Sequence, residues 1–141
     1  MLTSSSSVIA LDVGAKRIGV AQANAVARIA HPLLTLDHTE DVMDQIAGLV
    51  AREQAAIVVV GYPRNLSGQV TEQTKTIQNF GKELERHIGL PIHWQDEAVT
   101  SRKAEAELEQ RGKPYGRGDI DALAATYILE DFLNEHPEVK A

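Results

Sequence analysis

The sequence predicts an α/β domain: a five-stranded mixed sheet, three antiparallel strands followed by two parallel crossover strands, flanked by helices. Two observations carry the prediction. Apolar segments at 8–13, 18–23 and 27–36 follow one another too closely for helical crossovers, which need about a dozen residues, so they form an antiparallel meander. Beyond Thr39 the apolar period becomes helical, and two further strand-like runs, 56–60 and 90–95, each arrive behind an amphipathic stretch.

Residues 8–13 are short, β-branched and apolar, the composition of a buried strand, and they end in Asp12, Val13 and Gly14. A tight turn through Arg17 leads to the second strand, and 27–36 supplies the third. Val42, Ile46, Leu49 and Val50 recur at helical spacing behind Thr39 as N-cap, with Glu40 and Asp41 in the first turn where the helix dipole favours acids. The run 56–60, stopped by Gly61, is the most strand-like in the chain; reached by a crossover, it lies parallel to the first strand and deep in the sheet. Residues 61–68 are a loop by composition. Val70, Thr74, Ile77, Gly81, Leu84 and Ile88 mark an amphipathic helix ended by Gly89 and Pro91, and 90–95 is the fifth strand. A short helix opens at Thr100 or Ser101 and reaches Leu108. Residues 111–118 form a Gly-rich loop with three positive charges and no negative one, and the last helix starts at Asp119 and packs through Ile120, Leu123, Ala124, Tyr127 and Ile128. The order is β-β-β-α-β-α-β-α-α, with 1–7 as a disordered leader, 8–136 as a single domain and 137–141 as a tail.

Composition narrows the function. With 141 residues, 43% hydrophobic and 24% charged, the chain suits one core. It has no Cys, so disulfides and Cys-ligated metals are excluded and a reducing cytoplasm is expected. No apolar run approaches the roughly 20 residues of a membrane span, and the N-terminus lacks a secretory pattern. A net charge of -6 argues against indiscriminate grip on nucleic acid through a basic surface while leaving room for a local basic patch, and 4% aromatics argues against a row of base-stacking platforms.

Three acids sit where chemistry collects. Asp12 ends the first strand, Glu97, with Asp96 beside it, follows the fifth, and Asp121 lies in the first turn of the last helix. Open α/β sheets bind ligands beyond the carboxyl ends of their strands, where acids from separate segments meet. Carboxylates gathered there repel one another unless a hard divalent cation, Mg²⁺ or Mn²⁺, joins them. Two such ions about 4 Å apart activate water for in-line attack on a phosphodiester. Structural roles compete at each position. Asp12 precedes a glycine turn that Asp often caps, Asp96 and Glu97 suit solvated strand-end acids, Asp119 suits an N-cap, and Asp121 suits a dipole-favoured first turn. Asp121 nevertheless borders Ala124, Ala125 and Ile128, small or apolar neighbours that let its helix approach the sheet.

Lys16 and Arg17 in the first turn, Arg64, Asn65 and Ser67 in the second loop, and Arg111, Lys113 and Arg117 in the Gly-rich loop are candidate contacts to a nucleic-acid backbone, with solvated surface loops as the alternative. The five histidines lack metal-ligand spacing and belong to surface or core packing. No serine elbow, Cys nucleophile or Gly-Lys-Ser/Thr phosphate loop is present.

Segments 10–21, 60–68, 94–101 and 121–129 resemble, in order and spacing, four motifs of the YqgF family. The resemblance implies a ribonuclease H-like fold and an endonuclease hydrolysing phosphodiester bonds in structured nucleic acid: maturation of the 5′ end of pre-16S rRNA, resolution of Holliday junctions, or both. It makes Asp12 the first-strand metal ligand, Glu97 the second acid and Asp121 the acid of the last helix, matches Lys16 to the family lysine, and implies Mg²⁺ or Mn²⁺. A monomer or homodimer acting on structured RNA or branched DNA is expected. The chain departs from the family at Ala98, where Arg is usual and Arg102 is the nearest substitute, and at Tyr62 and Ser67. Ala98 favours the alternative of a noncatalytic nucleic-acid-binding module. The Asp12 to Gly19 pattern also resembles the phosphate loop of actin-like ATPases, which need two lobes where this chain supplies one.

Overall fold

The computed structural model describes residues 2–63, 71–97 and 100–141, with the backbone alone at 63, 97 and 100–102. Its elements are β1 (Ser7–Val13), β2 (Arg17–Asn24), β3 (His31–Asp37), α1 (Val42–Arg52), β4 (Ala55–Pro63), α2 (Glu72–Ile88), β5 (Ile92–Glu97), α3 (Thr100–Arg111) and α4 (Arg117–Glu135). The sheet order is β3-β2-β1-β4-β5, with β1–β2 and β2–β3 antiparallel and β1–β4 and β4–β5 parallel, the topology expected from the connection lengths.

Strand alternation divides the core in two. Ile9, Leu11, Ile18, Val20, Val58 and Val60 face α1 and α2, meeting Ile46, Leu49, Ile77, Phe80 and Leu84. Val8, Ala10, Ala21, Ala23 and Val59 face α4, meeting Ala125, Ile128, Leu129 and Phe132. The second face is built from smaller side chains, so α4 lies close to the sheet. A third cluster, Ala104 and Leu108 against Leu123, Ala124 and Tyr127, fastens α3 to α4. Among the described residues no helix is long and apolar enough to cross a membrane.

Several boundaries differ from the sequence reading, for local reasons. Strand β3 starts at His31 rather than at residue 27, because the turn after β2 is closed by the Asn24 side chain, which accepts from the Val26 and Ala27 N–H groups, with Arg28 at φ 55°. Asp41, not Thr39, is the N-cap of α1; Thr39 donates its hydroxyl to the Asp41 carboxylate, holding that group below the usual carboxylate range. Strand β4 passes through Gly61 to Pro63 because β5 continues to pair with it. The last helix begins at Arg117 behind Gly116, and Asp119 sits at the third helical position, its carboxylate accepting from the Gly116 N–H at 2.9 Å.

Residues assigned to the leader and the tail are partly tied down. Ser6 and Ser7 are buried, the Ser6 carbonyl accepts from Ala25, and the Ser7 hydroxyl donates to the Glu53 carbonyl. Arg28 donates to the carbonyls of Leu133, His136 and Val139, holding residues 133–139 against the turn between β2 and β3.

Candidate active site

Asp12 is the penultimate residue of β1 and shares the strand parity of Val8 and Ala10, which places it on the α4 side of the sheet. Its partner on β2 is Gly19, whose partner on β3 is Thr35, so the three form one row across the sheet. The first turn of α4 lies on that row. The Thr35 hydroxyl donates to the Gly118 carbonyl at 2.6 Å, and a methyl added to Gly19 would lie 2.0 Å from the Asp121 carbonyl oxygen. Residues 118 and 121 are three apart and project on one helix face, so one turn of helix spans the step from β3 to β2. Glycine at 19 therefore lets the backbone of Asp121 rest directly on the sheet, beside the register position of Asp12.

The Asp121 carboxylate is fixed from below. Arg17, two residues before Gly19 and on the same face of β2, donates Nε to Asp121 Oδ2 at 2.6 Å, with side-chain exposures of 31% and 19%. A charge-assisted bond of this length in a half-buried setting holds one carboxylate rotamer better than a surface pair would.

The β1–β2 turn is braced as well. Gly14 donates its N–H to the Arg17 carbonyl at 2.9 Å. His38 donates its backbone N–H to the Lys16 carbonyl and ring Nδ1 to the Gly14 carbonyl at 2.7 Å, and its ring meets Phe80 edge-on. Lys16 stands exposed at the tip. Strand β5 brings residue 97 to its carboxyl end, in register with Pro63 and two strands, about 10 Å, from β1. The Glu97 side chain, Arg64, Asn65 and the Arg102 side chain lie outside the described residues.

Two of the three expected acids thus stand on elements that touch at one row of the sheet, Asp12 on β1 and Asp121 in the first turn of α4. Both are hard oxygen donors of the kind Mg²⁺ and Mn²⁺ select. Among the described residues no group of three His, Asp or Glu side chains is assembled to hold a metal. Of the basic residues, Arg17 is engaged by Asp121, Arg111 by Glu107 at 2.9 Å, and Lys113 and Arg117 are exposed on either side of the start of α4. The sequence reading missed Thr35 and His38, which brace the start of α4 and the β1–β2 turn. A hydroxyl in a strand and a histidine just beyond it carry no spacing signal, because their partners are backbone carbonyls from distant segments. It read Gly19 only as part of a turn.

Comparison with known proteins follows the same outline. The sequence profile of a family described as "RuvX: Holliday junction resolvase" matches residues 6–135. A protein of Crocosphaera subtropica named "Putative pre-16S rRNA nuclease" is 38% identical over 133 residues, spanning 92% of this chain and 93% of that one. One of the same name from Rickettsia canadensis is 35% identical over 139 residues, spanning 95% and 90%. Among solved structures, RuvC of T. thermophilus in complex with a Holliday junction substrate superimposes with a TM-score of 0.58 at 16% identity, covering 95% of this chain and 98% of that one. The fowlpox virus Holliday junction resolvase does so with 0.54 at 12% identity, covering 94% and 98%. These likenesses show the ribonuclease H-like fold.

Proposed function

The chain belongs to the RuvX family, and from that premise we propose that it is a divalent-metal-dependent endonuclease that hydrolyses phosphodiester bonds in structured nucleic acid. The substrate best supported is pre-16S rRNA, after which the curated relatives are named; a four-way DNA junction, the substrate named for the family, is the second candidate. The observation that carries the reading is the seating of Asp121 on Gly19, beside Asp12.

Asp12, Asp121 and Glu97 would hold the metal, which when bound acidifies water and offsets charge on the phosphoryl oxygens. The protein's own part is to hold the carboxylates where they are needed. Gly19 and Thr35 set the height and angle of α4 over the sheet, and Arg17 sets the direction of the Asp121 carboxylate. Lys16, four residues after Asp12 at the turn tip, and Arg117, four residues before Asp121 at the start of α4, are exposed cations suited to the flanking phosphates of a bound strand. Such local contacts suffice to dock nucleic acid although the chain as a whole is acidic, and they favour a selected substrate over indiscriminate binding.

The test is cleavage of a pre-16S rRNA 5′-end fragment and of a four-way DNA junction, with Mn²⁺, with Mg²⁺ and with chelator. Asp12→Asn and Asp121→Asn each remove a ligand charge while preserving volume, so cleavage falls by about a thousandfold or more while the fold survives. Undiminished cutting by both variants, or equal cutting in chelator, would overturn the proposal.

A further inference from the structure

A cleft of about 600 Å³ opens at the free edge of β5, away from the row of residues beneath α4. We propose that it docks one unpaired nucleobase of the substrate strand, stacked on Trp94 and contacted at its edge by the carboxylates of Asp96 and Glu135. The proposal deepens the nuclease reading and rests on it.

Trp94 is the one tryptophan of the chain and is 40% exposed, although large aromatic rings contribute most when covered. Its seat is built for it. Gly81 lies in the interior of α2, where glycine costs about 1 kcal/mol relative to Ala. A methyl there would lie 2.5 Å from indole Cη2 and 2.6 Å from Cζ2, so only glycine admits the ring. Tyr62 stands nearly perpendicular to the indole, with ring centres 5.6 Å apart, and its hydroxyl accepts from Gln78 Nε2 at 3.0 Å. The two rings form a braced corner that remains open to solvent.

The polar wall of the cleft determines what fits. Glu135 is oriented by Gln95, whose Nε2 donates to Oε2 at 2.5 Å, and Asp96 lies beside the rings on the same strand. Two carboxylates repel phosphate, so a nucleotide enters base first with its backbone outside. Carboxylate oxygens accept from the amino groups of cytosine, adenine and guanine, each with two N–H donors, whereas uracil offers its single N3–H between two carbonyls that repel them. Stacking on one aromatic platform tolerates any of the favoured bases. Trp94 is in register with Val60 and through it with Leu11, the neighbour of Asp12. Leu11, Val60 and Trp94 face α2 whereas Asp12 faces α4, so a strand that joins the acids to the cleft passes over the carboxyl ends of β4 and β5 from one face of the sheet to the other.

Trp94 fluorescence reports occupancy directly, without a label. The intact protein, in chelator to prevent cleavage, is titrated with single-stranded oligocytidine, oligouridine and an abasic strand of equal length. The proposal expects quenching by oligocytidine at concentrations about tenfold lower than by oligouridine, and none by the abasic strand. Since the variants lack the reporter, their affinities are read by isothermal titration: Trp94→Ala binds oligocytidine about tenfold or more weakly than the intact protein, while Trp94→Phe retains most of the affinity and controls for folding. Equal quenching by the abasic strand, or unchanged affinity in Trp94→Ala, overturns the proposal. So does quenching that grows with protein concentration alone, which would assign this edge to a second copy of the chain. A protein that cuts nucleic acid while Trp94 stays silent loses only the base dock. One that neither binds nor cuts any strand loses the nuclease reading with it.

Discussion

Gly19→Ala is the substitution on which the account of the site turns. The added methyl would lie 2.0 Å from the Asp121 carbonyl oxygen, where ordinary contact begins near 3.4 Å, and its nearest neighbours are all backbone atoms of α4. No side chain can rotate out of the way, so β2 and the first turn of α4 must separate by more than about 1 Å. Overpacking of this kind costs about 1–3 kcal/mol. In a domain of this size that lowers Tm by roughly 3–9 °C. The same displacement carries Asp121 away from Asp12, and a misplacement of about 1 Å costs on the order of a hundredfold in rate. The assay is kcat/KM for cleavage alongside thermal unfolding, with Gly48→Ala as the control. Gly48 is exposed in α1 and an added methyl there meets nothing within 4 Å, so that variant gains up to about 1 kcal/mol and keeps full activity. Gly19→Ala cutting at the wild-type rate, with unchanged Tm, would refute the proposed contact between α4 and β2 and the coupling drawn from it.

Other outcomes follow from single contacts. Arg17→Ala unfixes the Asp121 carboxylate and lowers cleavage about tenfold, with a stability loss of about 1 kcal/mol because the pair is only half-buried; Arg17→Lys restores the charge but not the Nε geometry, and kinetics at matched Mn²⁺ should rank it between the two. Phe132→Ala empties a site at 1% exposure between α4 and the sheet and costs about 3–5 kcal/mol, read by denaturant unfolding. Burial, reinforced by Glu107, pushes the Tyr127 hydroxyl up to about 12 from its ordinary value near 10, with Lys103 held 4.5 Å from the ring centre. Because the folded state holds that proton more tightly, its contribution is whole below pH 10 and is lost as pH rises toward 12; Tyr127→Phe should flatten this part of the stability curve, measured by circular dichroism and phenolate absorbance.

Legibility in the sequence followed the range of the interaction. The meander of β1, β2 and β3 was readable because short connections forbid crossovers, and the positions of α1 and α2 because their apolar residues recur every turn. Element ends were harder. The start of α4 depends on the Gly116 N–H reaching the carboxylate of Asp119, and the end of β4 on continued pairing with β5 past Gly61. Asp12 and Asp121 were identifiable as candidate acids from their places at a strand end and a helix start. Arg17, expected to meet phosphate, is paired with Asp121, an interaction across 104 positions of chain that periodicity does not encode.

By itself the sequence determined the order of elements, the mixed sheet and which acids stand at strand and helix ends, since these depend on backbone preference and on which side chains avoid water over a few residues. Only the tertiary structure decided that α4 crosses the sheet at the row of Thr35, Gly19 and Asp12, that Arg17 turns toward Asp121, and that Trp94 keeps an open face above Gly81. Those outcomes depend on close packing between segments distant in the chain, where the presence of a single methyl group sets how near two backbones come.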